Sequence, residues 1–169
     1  MNKNFKTVAL GLLSVAFLVL VIWSIGANTG KSTRGAVTNS SAESPFVVGE
    51  PSYDFGDISM ANGKVSRIFK IKNATQGAAT LTKLYTSCMC TSASLKKDGK
   101  VLGPYGMPGH GFVPSINEPI NAGEEFEIEV VFDPAAHGPA GVGPISRIVY
   151  AENNIGKPLE IGISAYVKP

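Results

Sequence analysis

Hydrophobicity divides the chain into three parts. Residues 8–27 form an uninterrupted uncharged run of 20 residues. As a helix this run would span about 30 Å, the thickness of the hydrocarbon core of a bilayer. Lys3 and Lys6 precede it, and Trp23 lies near its end, where an indole ring favours the membrane interface. We predict a signal-anchor transmembrane helix over residues 1–27; a cleaved signal peptide is the alternative, although its apolar core usually has only about 7–15 residues.

Residues 28–45 are rich in Ser, Thr, Gly and Asn and contain almost no large apolar side chain. Such a segment cannot bury enough apolar surface to order itself, and we predict a flexible linker. The N-terminal lysines are expected to stay on the inner side of the membrane. The sequence therefore predicts a single-pass cell-membrane protein whose C-terminal domain is extracytoplasmic, either periplasmic or at the cell surface.

From Phe46 onward the apolar period changes to two, which is the period of a β-strand. In the clearest strand, 125–132, glutamates alternate with Phe126, Ile128, Val130 and Phe132. Other segments with apolar alternation are 53–55, 65–72, 79–84, the part marked by Ile148 and Tyr150, and 159–167. About six or seven short strands, with no helical period after residue 27, predict an all-β, immunoglobulin-like antiparallel β-sandwich over residues 46–169.

Composition agrees with this fold and excludes some partners. Nineteen glycines and eleven prolines favour strands joined by turns. The net charge of +2 is uneven, because residues 1–45 hold four basic and one acidic side chain, whereas 46–169 hold eleven basic and twelve acidic ones. The domain shows no basic patch, and no glycine-rich phosphate loop follows a strand and opens a helix. We therefore expect neither nucleic acid nor a nucleotide as a partner.

The only two cysteines of the chain, Cys88 and Cys90, lie in the segment TSCMCT. In an extended strand, residues i and i+2 project to one side with Cα atoms about 6.5–7 Å apart, at the outer limit for a disulfide. Three interpretations stay open. Local bending would allow a disulfide, which export favours. Alternatively, two thiolates would hold a soft metal ion, or both thiols are small buried residues.

A Gly/Pro-rich loop downstream, GPYGMPGHGF, carries two more soft ligands, Met107 and His110. Its glycines would let the loop fold closely over the cysteines, and its prolines would restrict its freedom. Thiolates, a thioether and an imidazole fit Cu(I), with Zn(II) as the alternative metal. We predict a copper site with Cys88 and Cys90 as core ligands, completed by Met107 and His110.

The second histidine, His137, joins this site under only one of two topologies. If residues 92–119 add no complete strand, the acidic strand starts at the cysteine end and carries His137 roughly 26 Å away. If SLKK or KVL, around Asp98-Gly99, contributes an extra strand, the direction reverses and His137 arrives beside Cys88. His137 is therefore a conditional ligand.

Together, the segments YDFGDI, FKIKN, TSCMCT and INAGEEFEIEVVFDP resemble a bacterial extracytoplasmic family of unknown function. That family is marked by a Y-D-F-G start and an S-C-G-C-T motif, and it is similar to the immunoglobulin-like ASH and Hydin domains. The resemblance covers most of residues 51–168 and implies an Ig-like sandwich and an exported location, but no activity. Met89 replaces the usual glycine between the cysteines, and the insertion at 92–119 is longer than is usual in the family.

Catalysis has little support in this sequence. A nucleophilic cysteine needs a base within hydrogen-bond reach and an oxyanion site, and no recognised nucleophile context surrounds Cys88 or Cys90. We therefore expect a protein that is not an enzyme, namely a membrane-anchored Ig-like domain that binds copper. Two alternatives stay open: a non-catalytic envelope scaffold that binds another envelope protein without metal, and a thiol–disulfide component.

Overall fold

The computed structural model describes residues 43–169. Within them the chain forms ten β-strands: β1 (Phe46–Val48), β2 (Ser52–Ser59), β3 (Val65–Asn73), β4 (Ala79–Thr86), β5 (Thr91–Lys97), β6 (Lys100–Tyr105), β7 (Glu118–Ile120), β8 (Glu125–Phe132), β9 (Gly143–Asn153) and β10 (Leu159–Lys168). Two short 3-10 helices occupy Met60–Asn62 and Gly138–Gly141.

The predicted anchor, residues 1–27, and residues 28–42 of the predicted linker lie outside the described part of the chain. The anchor, the linker and the domain boundaries therefore stay predictions. Between residues 43 and 169, no helix has the length and hydropathy of a membrane span.

The strands form two five-stranded sheets that pack as a sandwich. One sheet has the order β1-β3-β8-β5-β6 and the other has the order β2-β10-β9-β4-β7. The predicted all-β sandwich is confirmed. The expectation of antiparallel pairing throughout is wrong for one pair, because β2 runs parallel to β10. Residues 49–51 carry the chain from β1 in one sheet to β2 in the other without a reversal, so β2 shares its direction with the last strand.

The core between the sheets follows from the period-two pattern. Along β8, Phe126, Ile128, Val130 and Phe132 are buried, whereas the three glutamates and Val131 lie on the opposite face and are at least partly exposed. Phe69 and Ile71 of β3 are buried and pair with Ile128 and Phe126. The second sheet contributes buried apolar side chains at Leu81, Leu84, Val149, Ala151, Leu159, Ile161, Ile163 and Val167. Removing these side chains from water is the main driving force for folding.

The predicted insertion begins with a hairpin. β5 and β6 pair antiparallel, and the turn between them is Asp98-Gly99, with positive φ values of 49° and 75°. Two consecutive positive φ values are what a tight two-residue hairpin turn requires, and Asp-Gly is a sequence that adopts them readily. The predicted extra strand is therefore present as β5, whereas β6 brings the chain back to the cysteine end, where Tyr105 pairs with Ala93.

The chain then returns along β4. The Ile116 N–H donates to the Thr82 carbonyl at 2.9 Å, and β7 pairs with the beginning of β4. As a result β8 starts at the end of the sandwich opposite the cysteines and runs toward them, so that Phe132 pairs with Thr91. The direction of β8 is the one that brings the following residues to the cysteine end.

Asn73 ties this return segment to the first sheet. Its side chain is fully buried, and the two hydrogens of its Nδ2 are shared among three carbonyls within hydrogen-bond distance: Gly77 at 2.9 Å, Ile120 at 2.9 Å and Asn121 at 3.1 Å. Its Oδ1 accepts from the N–H of Thr75 at 3.0 Å and from the Thr75 hydroxyl at 2.8 Å. One amide therefore satisfies polar groups on both sides of the β3–β4 turn and in the segment that leads into β8.

Replacing Asn73 with leucine should lower the free energy of unfolding by about 3 kcal/mol, because one buried and two partly buried carbonyls lose their donor. Urea unfolding followed by far-UV circular dichroism would measure this change. Asn62→Ala, at an exposed position, is the control and should change stability by less than about 0.5 kcal/mol. An equally small effect of Asn73→Leu would contradict the assigned role.

Candidate functional site

A tight turn between β4 and β5 holds the cysteines. The Thr91 N–H donates to the Cys88 carbonyl at 3.1 Å and closes the turn. The buried Thr86 hydroxyl lies 2.9 Å from the carbonyl oxygens of both Cys88 and Thr91, and its one hydrogen is shared between them. Ser87 anchors the turn to β9, because its N–H donates to the Ile148 carbonyl and its Oγ accepts from the Ile148 N–H, each at 2.9 Å. The polar residues of the motif therefore satisfy the backbone of the turn.

The two cysteine sulfurs lie at disulfide distance, and the structure pairs them as a Cys88–Cys90 bridge. Their Cα atoms are 5.3 Å apart, inside the range that a disulfide requires. This separation is shorter than that of an extended strand because residues 87–90 bend and turn. Met89 between them is 52% exposed, and it is not among the non-glycine residues with positive φ. The turn thus accommodates a side chain where the related family usually has glycine.

His137 reaches this turn from the end of β8. The Asp133 N–H donates to the Cys90 carbonyl at 2.8 Å, which holds the segment after β8 against the turn. The Asp133 Oδ1 accepts from the Ala135 N–H at 3.0 Å and shapes the next residues. The His137 Nε2 then lies 3.2 Å from the Cys88 Sγ. The topology with the extra strand has therefore brought His137 beside Cys88.

Cys88, Cys90 and His137 form a group whose three ligand atoms all lie within 4.8 Å of one another. Both cysteines are buried, whereas His137 is exposed. An open cleft of about 310 Å³ adjoins the group and is lined by His137, Arg147 and part of the segment 140–145. The two side chains that contact the sulfurs, His137 and Arg147, therefore line an open cleft, whereas the cysteines themselves are buried behind them.

Met107 and His110 belong to a loop that starts at the same end of the sandwich. The Gly106 carbonyl accepts from the Thr86 N–H at 3.1 Å, so the loop leaves β6 beside the cysteine turn. Met107 is half-buried, and the exposed His110 donates its backbone N–H to the Met107 carbonyl at 3.2 Å. The imidazole that joins the two sulfurs is that of His137 and not that of His110. The roles of Met107 and His110 as ligands stay predictions.

Arg147 is a site residue that the sequence interpretation missed. Its Nε donates to the Cys90 Sγ at 3.3 Å, and its Nη1 donates to the Ser146 carbonyl at 2.8 Å. The two sulfurs therefore have different neighbours: an imidazole contacts Cys88 and a guanidinium contacts Cys90. A guanidinium beside sulfur stabilises negative charge on it.

The phase of β9 explains why Arg147 was missed. Val149 and Ala151 are the buried residues of this strand, and Arg147 lies on their side because side chains alternate. The sequence interpretation chose Ile148 and Tyr150 as the apolar face, which is wrong. Tyr150 stacks on Tyr85 with ring centroids 5.0 Å apart, and neither ring is among the buried side chains. An arginine in phase with Val149 and Ala151 is the signal that would have identified Arg147.

The part of the chain that contains the cysteine turn matches a known family model. Residues 46–104 match a family model described as protein of unknown function, DUF1573. The predicted resemblance to a family of unknown function is confirmed, but the match ends at residue 104 and does not extend over most of residues 51–168 as predicted. The DUF1573 match spans β1 to β6 and includes the cysteine turn, whereas His137 and Arg147 follow the matched residues. No curated protein matches the chain.

Several solved structures are also similar to this chain. A protein of unknown function from Porphyromonas gingivalis W83 is 14% identical, with a TM-score of 0.54 over 79% of this chain, and the chain spans only 51% of its length. PapD-like domain 7 of human CEP192, an ASH/PapD-like domain, is 13% identical, with a TM-score of 0.44 and coverage of 75% and 87% of the two chains. The VesB protease of Vibrio cholerae is 18% identical, with a TM-score of 0.47 and coverage of 72% and 32%. The similarity to the Porphyromonas gingivalis protein supports the Ig-like sandwich fold and says nothing about function.

The bridge predicts that protein purified in air contains no free thiol. Titration with 5,5′-dithiobis(2-nitrobenzoate) in denaturant should find none before reduction and both cysteines after reduction, because every cysteine of the chain is in the bridge. Cys88→Ser is the control, since its remaining thiol should react without reduction. Two reactive thiols in the unreduced wild-type protein would contradict the bridge.

Proposed function

We propose that the protein is a membrane-anchored, extracytoplasmic Ig-like domain that binds a soft metal ion, Cu(I), through Cys88, Cys90 and His137. The observation that supports this function is the clustering of their three ligand atoms within 4.8 Å of one another. The ion would bind the reduced protein, because thiolates and not bridged sulfurs are the metal ligands. We propose no catalytic role.

The distances between the ligand atoms of Cys88, Cys90 and His137 are compatible with one bound ion. Metal–sulfur and metal–imidazole bonds are about 2.3 and 2.0 Å long, so two ligand atoms on one ion lie at most about 4.6 Å apart. The Cys88 Sγ and the His137 Nε2 are 3.2 Å apart, and Cys90 lies in the same short turn. Opening of the bridge and small side-chain rotations would therefore be enough to surround an ion.

The donor set favours Cu(I) over Zn(II). A structural zinc ion takes four ligands, and in the described residues only three His, Cys, Asp or Glu side chains join this group. Cu(I) also accepts thioether sulfur. Met107 follows directly after Gly106, whose carbonyl bonds to the cysteine turn, so we assign Met107 as an additional soft ligand and keep zinc as the competing metal.

Charge also supports a monovalent ion held by two thiolates. Cu(I) with two thiolates carries a net charge of about −1, and an unpaired charge at a partly buried position is costly. The Arg147 Nε lies 3.3 Å from the Cys90 Sγ, where the guanidinium would offset this charge. Arg147 therefore supports the complex without being a ligand.

The predicted anchor gives the site its location. A helix over residues 1–27 and a linker over 28–45 would hold the domain on the outer side of the cell membrane, periplasmic or at the cell surface. The membrane is then one partner, and an envelope protein that delivers or receives the ion is the other partner that we expect.

Anaerobic titration of the reduced full-length chain with Cu(I), in mild detergent and with bicinchoninate as competing chelator, tests this function. We expect one Cu(I) per chain. His137→Ala should weaken affinity by at least about tenfold, because one of three donors is lost. Cys88→Ser should abolish stoichiometric uptake.

His110→Ala is the matched comparison, because it removes an exposed imidazole outside the group. We expect its affinity to equal that of the wild type. Equal losses in His110→Ala and His137→Ala would show that the loop also supplies an imidazole. No uptake by fully reduced protein would contradict the metal proposal itself.

A further inference from the structure

The two sulfurs of the bridge occupy unequal environments. Cys90 is 2% exposed and accepts a hydrogen bond from the Arg147 Nε at 3.3 Å, whereas Cys88 is 9% exposed and lies 3.2 Å from the exposed His137. In thiol–disulfide exchange, access decides which sulfur is attacked, and the stability of the departing thiolate decides which sulfur leaves easily. Access favours attack at Cys88, and the arginine favours departure of Cys90.

The bridge contributes little to the stability of the fold. In the chain-entropy model, the stabilisation by a disulfide rises with the logarithm of the length of chain that it closes, and this one spans a sequence separation of only 2. The turn around it is already held by the Thr86 hydroxyl and by the bond from the Thr91 N–H to the Cys88 carbonyl. The sulfurs can therefore separate without release of a distant segment.

We propose that Cys88–Cys90 is a reversible dithiol–disulfide pair that exchanges with thiols, in which Cys88 is the attacked sulfur and Arg147 positions Cys90 as the leaving sulfur. This activity does not require a metal ion. It acts on the same cysteines as the proposed copper site and decides when they are available as ligands.

Two molecules of a thiol reductant are enough to reduce the bridge. A thiolate attacks the Cys88 Sγ, a new S–S bond forms between them, and the Cys88–Cys90 bond breaks. Cys90 leaves as a thiolate beside the Arg147 guanidinium and later takes a proton from solvent. A second thiol attacks the mixed disulfide, so that Cys88 is released and the two reductant sulfurs are joined. Two electrons pass from the thiols to the bridge.

Mixed-disulfide formation identifies the attacked sulfur. Reduced full-length Cys90→Ser and Cys88→Ser, in detergent with a metal chelator, are treated with oxidised glutathione and followed by mass spectrometry. Because exchange is reversible, the sulfur that is attacked is also the one that forms the adduct. We expect Cys90→Ser to react at least about tenfold faster than Cys88→Ser, since its remaining cysteine, Cys88, is the more exposed of the two. Equal rates, or a faster Cys88→Ser, would overturn the assignment.

The redox equilibrium of the intact pair tests Arg147 without removing a cysteine. In glutathione buffers, wild-type protein should interconvert fully between bridge and dithiol. Arg147→Gln should shift the equilibrium toward the bridge by about tenfold, equivalent to about 30 mV, and Arg147→Lys should restore part of the shift. Arg67→Gln is the control, because Arg67 lies against Glu50 and Tyr53.

Two results would overturn the proposal: a bridge that excess dithiothreitol leaves intact in folded protein, or an equilibrium that Arg147→Gln leaves unchanged. These failures are distinguishable from failure of the copper function. A protein that exchanges with thiols but takes up no Cu(I) when reduced would contradict the metal proposal alone. A protein that takes up Cu(I) after reduction in denaturant and refolding, but does not exchange with thiols when folded, would contradict this inference alone.

Discussion

The direction of β8 is the constraint on which the candidate site depends. Strand β8 spans Glu125–Phe132, so its two ends differ in position by roughly 26 Å. A strand in a ladder can run in only two directions, and the hairpin of β5 and β6, followed by the return along β4, selects the one that ends at Thr91. His137 therefore arrives beside the sulfurs as a consequence of backbone hydrogen bonding far from it.

The turn that contains Cys88 and Cys90 is the site of both proposed activities, metal binding and thiol–disulfide exchange. In the structure, the Cys88–Cys90 bond and the flanking threonines hold the turn closed, and the His137 imidazole lies beside the two sulfurs. Under our proposal, the same three groups would hold an ion once the bridge is reduced. The Arg147 contact to Cys90 has a role in both proposals, since a guanidinium there would oppose negative charge either on a departing thiolate or on a dithiolate complex. The two proposed activities would therefore compete for the same cysteines.

Period-two alternation predicted most of the strands because a half-buried sheet needs one apolar face. It predicted β8 correctly, where glutamates mark the outer side. It failed for β9, where Tyr150 and Ile148 on the outer side are as apolar as Val149 and Ala151 on the inner side. A stacked pair, Tyr85 and Tyr150, accounts for this outer apolar surface, and the pairing depends on the neighbouring strand β4.

The sequence by itself determined the sandwich class, the family resemblance and the position of the two cysteines, because alternation and short motifs are local properties. From the sequence, His137 could be predicted as a ligand only under one of two topologies, and Arg147 was not predicted at all. Those assignments belong to tertiary structure, because residues 49 and 57 positions away along the chain reach the sulfurs through strand direction and sheet order. Local patterns do not encode which end of a sheet a distant strand reaches; the hydrogen-bonded ladder decides it.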